Sequence, residues 1–214
     1  MAPICYMQLG RGMEKNRLEA FTDGVIAVII TIMVLELKPP HEATWESLLG
    51  NWHVFLSYVL SFIYVGIYWN NHHHMLHAVE HVNGKVMWAN LLFLFWLSLF
   101  PFTTSWLNEA HGEHHELLAP WPTAVYGFVL LMAALSWIPL SRSLIACNGG
   151  RDGTLAQAIG AESGDWKAKA SPILYLGAIV LAFFAPIVSC VLYAVVAAIW
   201  FIPDRRIENK VAEN

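Results

Sequence analysis

Long apolar runs separated by short polar stretches run along most of the chain. Those over about 18–37, 52–71, 86–107 and 120–141 each approach the roughly 20 residues that a helix needs to cross a hydrocarbon core. A further apolar stretch, 171–203, is too long for one comfortable span and too short for two full ones, and Pro186 splits it into 171–185 and 187–203. The pattern therefore predicts an all-α membrane protein with six transmembrane helices per chain. Residues 17–204 form its single domain, with a segment 1–16 before it and a tail 205–214 after it. The stretch from Asn148 to Lys169, rich in Gly, Asp and Lys, reads as a loop.

Composition agrees with the pattern. Of 214 residues, 57% are apolar and 13% charged, and the mean hydropathy is +0.50, more than one water-soluble core of this size could enclose. The 10 Trp and 7 Tyr suit the bilayer interfaces. Cys5, Cys147 and Cys190 have no framework spacing and suggest neither disulfides nor a metal. The net charge of -4 matters less than where the cations lie. On the six-span reading Arg11, Lys15, Arg17, Lys85, Arg142, Arg151, Lys167, Lys169, Arg205, Arg206 and Lys210 share one side and Lys38 alone takes the other. Basic loops stay inside, so that side is the cytoplasm and both termini lie in it, in the cell (inner) membrane. A single span over 171–203 would move Arg205, Arg206 and Lys210 outside and lose the bias. The opening stretch MAPICYMQLGRG has too short an apolar run for a cleaved signal, and Met13 is as natural a start as Met1.

Ten histidines invite a metalloenzyme reading. His72, His73, His74, His77 and His81 follow the second span, and His111, His114 and His115 follow the third in the spacing of di-iron desaturases. The intervening helix of about 22 residues would hold the clusters roughly 33 Å apart, on opposite faces of the membrane, so they cannot share one centre. His77 and His81, four apart on a helical extension, could share a metal by themselves; interfacial polar residues are the blander reading. No phosphate-binding glycine loop, paired carboxylates or nucleophile elbow occurs, so no enzyme and no cofactor is expected.

The first span carries the candidate chemistry. Within RLEAFTDGVIAVIITIMVLELKPP, Thr22 and Asp23 lie about a turn inside the apolar run and Thr31 near its middle. Val28, Thr31, Ile32 and Leu35 fall at i, i+3, i+4 and i+7, one helix face on which Thr31 alone is polar. Such a face could simply pack, with the threonine bonded back to its own helix. Asp23 is harder to explain by packing, since a carboxylate within a membrane faces a partner or water and marks function by default. Arg17 and the start of the His72–His77 run are its candidate partners. A proton- or metal-coupled transporter would use Asp23 and the His72–His81 run as a relay.

These residues carry a resemblance. RLEAFTDG, with Arg17, Phe21, Thr22 and Asp23, resembles the Arg-x-x-x-Phe-Ser-Asp signature of the transmembrane protein 175 family, the lysosomal potassium channels and their bacterial relatives. YWNNHH from Tyr68 and NLLFLFWLSLFPFTTSW from Asn90 are similar to that family's second and third helices. Thr22 stands where the family usually has Ser.

The resemblance implies a homotetrameric potassium channel whose central pore is lined by the first helix of each chain. By position it assigns the constriction to Val28, a pore-facing threonine layer to Thr31, and further apolar rings to Ile32 and Leu35. The signature residues Arg17, Phe21, Thr22 and Asp23, with Trp69 and His73, would form a polar network holding the cytoplasmic ends of the pore helices. The physics is compatible: apolar rings close by dewetting, threonine oxygens replace part of a cation's hydration shell, and Glu36 at the outer mouth concentrates cations. The partners implied are potassium ions, lipid and further copies of the chain, with no nucleic acid. The carbonyl filter TVGYG is absent, and YVGIY from Tyr64 sits inside a helix.

Overall fold

The computed structural model describes residues 3–40, 42–109, 118–153, 155–156 and 166–201, and among them every element is helical. In chain order these are α1 (Pro3–Leu35), α2 (Trp45–Gly50), α3 (Trp52–His77), α4 (Gly84–Leu97), α5 (Phe100–Glu109), α6 (Pro120–Cys147), a 3-10 turn (Gly150–Asp152), α7 (Trp166–Leu181) and α8 (Pro186–Phe201). His111, His114, His115, Arg205, Arg206 and Lys210 lie outside the described residues.

Several helix limits differ from the apolar runs, for local reasons. The first helix begins well before residue 18 and ends at Leu35, with Glu36 in a turn before Pro39 and Pro40. The second extends past residue 71 to His77, so the histidine run lies on the helix. His81 lies beyond that helix end, and the helical pairing expected of His77 and His81 does not form. The expected helix 86–107 is two. The chain turns at Ser98–Leu99 because Pro101 has no N–H for the Leu97 carbonyl. Asn83 caps the first half, its side-chain oxygen accepting from the Lys85 and Val86 amides. The fourth helix extends from 141 to Cys147, the next starts and ends earlier than expected, over Trp166–Leu181, and the last is described over Pro186–Phe201.

Among the described residues, four helical segments are long and apolar enough to cross a membrane: 15–35, 52–77, 84–109 and 120–147. Within the described residues α7 and α8 have 16 residues each, or ~24 Å at ~1.5 Å per residue, against a core of ~30 Å. The longer segments alternate in direction. The Asp23 end of α1 meets the end of α3 and the start of α4, and its Glu36 end meets α5. The end of α6 returns to the first side, where Asn148 accepts from the Glu80 and His81 amides and donates to the His81 carbonyl.

α6 sits centrally, against α4, α5, α7 and α8, whereas α1 packs at one edge on α3, α4 and α5. Lipid is as apolar as leucine, so packing and interhelical hydrogen bonds, rather than dehydration, hold such a bundle. Its centre is accordingly polar in places. Tyr64 donates to the Tyr193 carbonyl (2.6 Å), Tyr175 to the Tyr64 hydroxyl (3.2 Å) and Tyr193 to the Thr123 carbonyl (3.2 Å). Ser61 bonds Thr104 (2.7 Å) and Tyr126 (3.0 Å). These contacts join α3, α5, α6, α7 and α8.

Gly127 makes the tyrosine cluster sterically feasible. A Cβ there would lie 1.9 Å from the Tyr193 hydroxyl oxygen, and the Tyr193 ring is buried between Tyr126 and Tyr175. Gly127→Ala is expected to destabilise the bundle by about 1–3 kcal/mol through overpacking, read as a lower thermal unfolding temperature of the detergent-purified protein. An unchanged temperature would contradict this packing.

Candidate functional site

The rotation of α1 is set by one buried face. Leu18, Thr22, Ile26, Ile29 and Met33 recur every three or four residues, as one side of a helix must, and all are buried against the rest of the chain. Thr22 is fully buried, and its hydroxyl accepts from the Asn90 side-chain amide at 2.8 Å. The Asn90 carbonyl oxygen lies 2.9 Å from His72 Nε2, and the His72 ring stacks on Phe93. All three polar side chains are buried, where an unpaired donor or acceptor would cost several times what a formed bond contributes.

The flank of α1 toward α3 carries the acids. Asp23 Oδ1 accepts from Trp69 Nε1 at 2.9 Å. Trp69 in turn stacks on His73, with ring centroids 5.7 Å apart and planes 19° from parallel. One turn earlier, Glu19 Oε1 lies 3.2 Å from His73 Nδ1 and 3.9 Å from His77 Nε2. The partner of Asp23 is thus Trp69, rather than Arg17 or a histidine. Arg17 lies six positions back, is exposed, and forms no ion pair among the described residues. Phe21 is also exposed.

The opposite face of α1 is apolar and open. Val28 is 55% exposed, Ile32 42% and Leu35 79%, while Ile26 and Met33 on the packed face are 2% and 1%. Thr31 is exposed on the open face, and its hydroxyl donates to the Val28 carbonyl at 2.9 Å. Its single proton is therefore committed to the backbone, and its lone pairs remain available to a cation. At the end of the face Glu36 accepts from Ser105 (2.8 Å) across a groove of about 450 Å³, lined also by Ile32, Pro101 and Phe102. Beyond it Lys38 pairs with Glu109, which raises the lysine pKa, chiefly through that hydrogen bond.

Sequence reasoning assigned no role to Asn90, Glu19 or His72 individually. The signal for Asn90 was a lone amide in the apolar run NLLFLFWL, where a membrane helix spends a polar side chain only on a partner. Glu19 had no comparable signal, because its partners come from another helix.

The comparisons with known proteins bear on the same residues. The family described as "Endosomal/lysosomal potassium channel TMEM175" matches residues 17–101, from Arg17 through α1, α3, α4 and the start of α5. A "Potassium channel" from a Chryseobacterium species is 48% identical over 202 residues, covering 94% of this chain and 100% of the relative. The chain belongs to the TMEM175 family. A "Potassium channel" from Streptomyces collinus is 35% identical over 138 residues, 61% of this chain and 66% of the relative. The crystal structure of a lysosomal potassium-selective channel TMEM175 homolog from Chamaesiphon minutus superposes with a TM-score of 0.70 at 30% identity, covering 88% of this chain and 96% of that one. TMEM175 is a channel family, which sets aside the enzyme reading of the histidines.

Asn90→Leu, which keeps the branched outline but neither donates nor accepts, orphans Thr22 and His72 together. It is expected to cost about 2–4 kcal/mol, measured by thermal or denaturant unfolding in detergent. Stability equal to wild type would show that the orientation of α1 does not depend on this chain of bonds.

Proposed function

We propose that the chain assembles as a homotetrameric, potassium-selective channel of the cell (inner) membrane, with α1 of each copy lining a central pore. The observation that carries this reading is the divided surface of α1. One face is fixed by Thr22, Ile26, Ile29 and Met33, while the other leaves Val28, Thr31, Ile32 and Leu35 uncovered on a helix at the edge of the bundle. A single chain offers one such face, and a closed ring of four supplies the rest of a pore. The potassium-channel names of the bacterial relatives support the choice of ion.

Within that pore Val28 forms the hydrophobic constriction, Thr31 the layer that replaces part of the ion's water, and Ile32 and Leu35 further apolar rings. Glu36 lies at the outer mouth. Asp23, Trp69, His73 and Thr22 keep α1 aligned at the cytoplasmic end, with Arg17 and Phe21 placed toward neighbouring copies. Six helices per chain span the bilayer within a domain of residues 17–204, α7 and α8 as short spans, and both termini face the cytoplasm. Conduction needs no bound cofactor, only permeant potassium.

The purified protein in planar bilayers with opposed potassium and sodium solutions tests this. Wild type should give unitary currents reversing toward the potassium potential, and Thr31→Val, which keeps the shape and removes the oxygen, should shift reversal toward zero while the channel still closes. Mass measurement in detergent should give four chains. A monomer, a current that follows a proton gradient alone, or unchanged reversal in a conducting Thr31→Val tetramer would contradict the assignment.

A further inference from the structure

Glu19, His73 and His77 make a cluster that lies off the conduction path and shares only His73 with the helix anchor. His73 and His77 are one turn apart on α3, so both imidazoles point the same way, their centroids 4.3 Å apart. Glu19 reaches them from α1. One donor atom from each of the three lies within 4.8 Å of the other two, with Glu19 Oε1 at 3.2 Å and 3.9 Å from the ring nitrogens. Donors bound about 2.0–2.1 Å from a tetrahedral zinc stand roughly 3.3 Å apart, so small rotamer adjustments would close the site. Two imidazoles and one carboxylate suit zinc-class ions and not calcium or magnesium, which take mainly oxygen.

The surroundings fit such a site. Trp69 stacks on His73 and orients the ring from behind. The Glu19, His73 and His77 side chains are 20%, 37% and 56% exposed, which lets an ion enter and leaves a fourth position for water. We propose that Glu19, His73 and His77 bind one divalent transition-metal ion of the zinc class, cross-linking α1 to α3 one turn from the Asp23–Trp69 bond. This site is independent of the potassium assignment, because binding is measured without ion flux.

The test is zinc titration of the purified full chain in detergent, with any affinity tag removed, followed by calorimetry and thermal unfolding. Wild type is expected to bind about one zinc per chain at micromolar concentration, undisturbed by millimolar magnesium, and to unfold several degrees higher when loaded. Glu19→Gln and His77→Gln change partly exposed positions, and their unfolding without zinc reports whether they remain folded. Each should weaken binding at least ~10-fold and lose the zinc-dependent shift. The combined His111→Ala, His114→Ala, His115→Ala variant should bind as wild type. Binding that survives both the Glu19→Gln and the His77→Gln variants, that vanishes in the triple variant, or that is absent in wild type at millimolar zinc would overturn the proposal.

Discussion

A helix has about 3.6 residues per turn, so nine positions make two and a half turns. Thr22, buried on Asn90, therefore turns Thr31 to the far side of α1, and the hydrogen bond at one determines what the other faces. Apolar packing alone would fix this rotation poorly. Lipid offers Leu18, Ile26, Ile29 and Met33 nearly as good an environment as the bundle does, and a roll of α1 by some tens of degrees would exchange one apolar contact for another. The Thr22–Asn90–His72 chain has no such alternative, since rolling the helix would leave donors and acceptors unmet where no water is at hand. The open face of Val28, Thr31, Ile32 and Leu35 depends on that constraint.

The rest of the bundle gives α1 something rigid to be fixed to. The tyrosines 64, 126, 175 and 193 close a hydrogen-bonded centre among α3, α6, α7 and α8, and Gly127 leaves room for it. α3 and α4 then present Trp69, His72 and Asn90 to α1 from this frame. The arrangement separates two tasks. The polar anchor lies at one end of α1, and the uncovered apolar stripe extends toward the other, so a change at the stripe need not disturb the anchor.

The spans of α1, α3, α4–α5 and α6 were legible in the sequence because a lipid-soluble helix must be apolar along its length. The motif RLEAFTDG pointed to the family for the same reason, since acids and hydroxyls are rare inside such runs. The break at Ser98–Leu99 was marked by Pro101, but an apolar run hides a two-residue turn. The partner of Asp23 was not legible. Arg17 offers the opposite charge, yet it lies six positions away and about 120° around the same helix, whereas the Trp69 indole reaches Asp23 from α3. Glu19 with His73 and His77 was hidden likewise, since spacing within one segment says nothing about which helix lies alongside.

The central claim is that the face of α1 opposite Thr22 meets water and ions rather than lipid. Cysteines placed singly at each position from 21 to 35, treated with a small charged thiol reagent during current recording, measure this directly. The account predicts block at 28, 31 and 35, weaker reaction at 32, and none at 26, 29 and 33, a period near 3.6. Reaction without that period, or no reaction at 28, 31 and 35 in conducting channels, would place this face against lipid and contradict it.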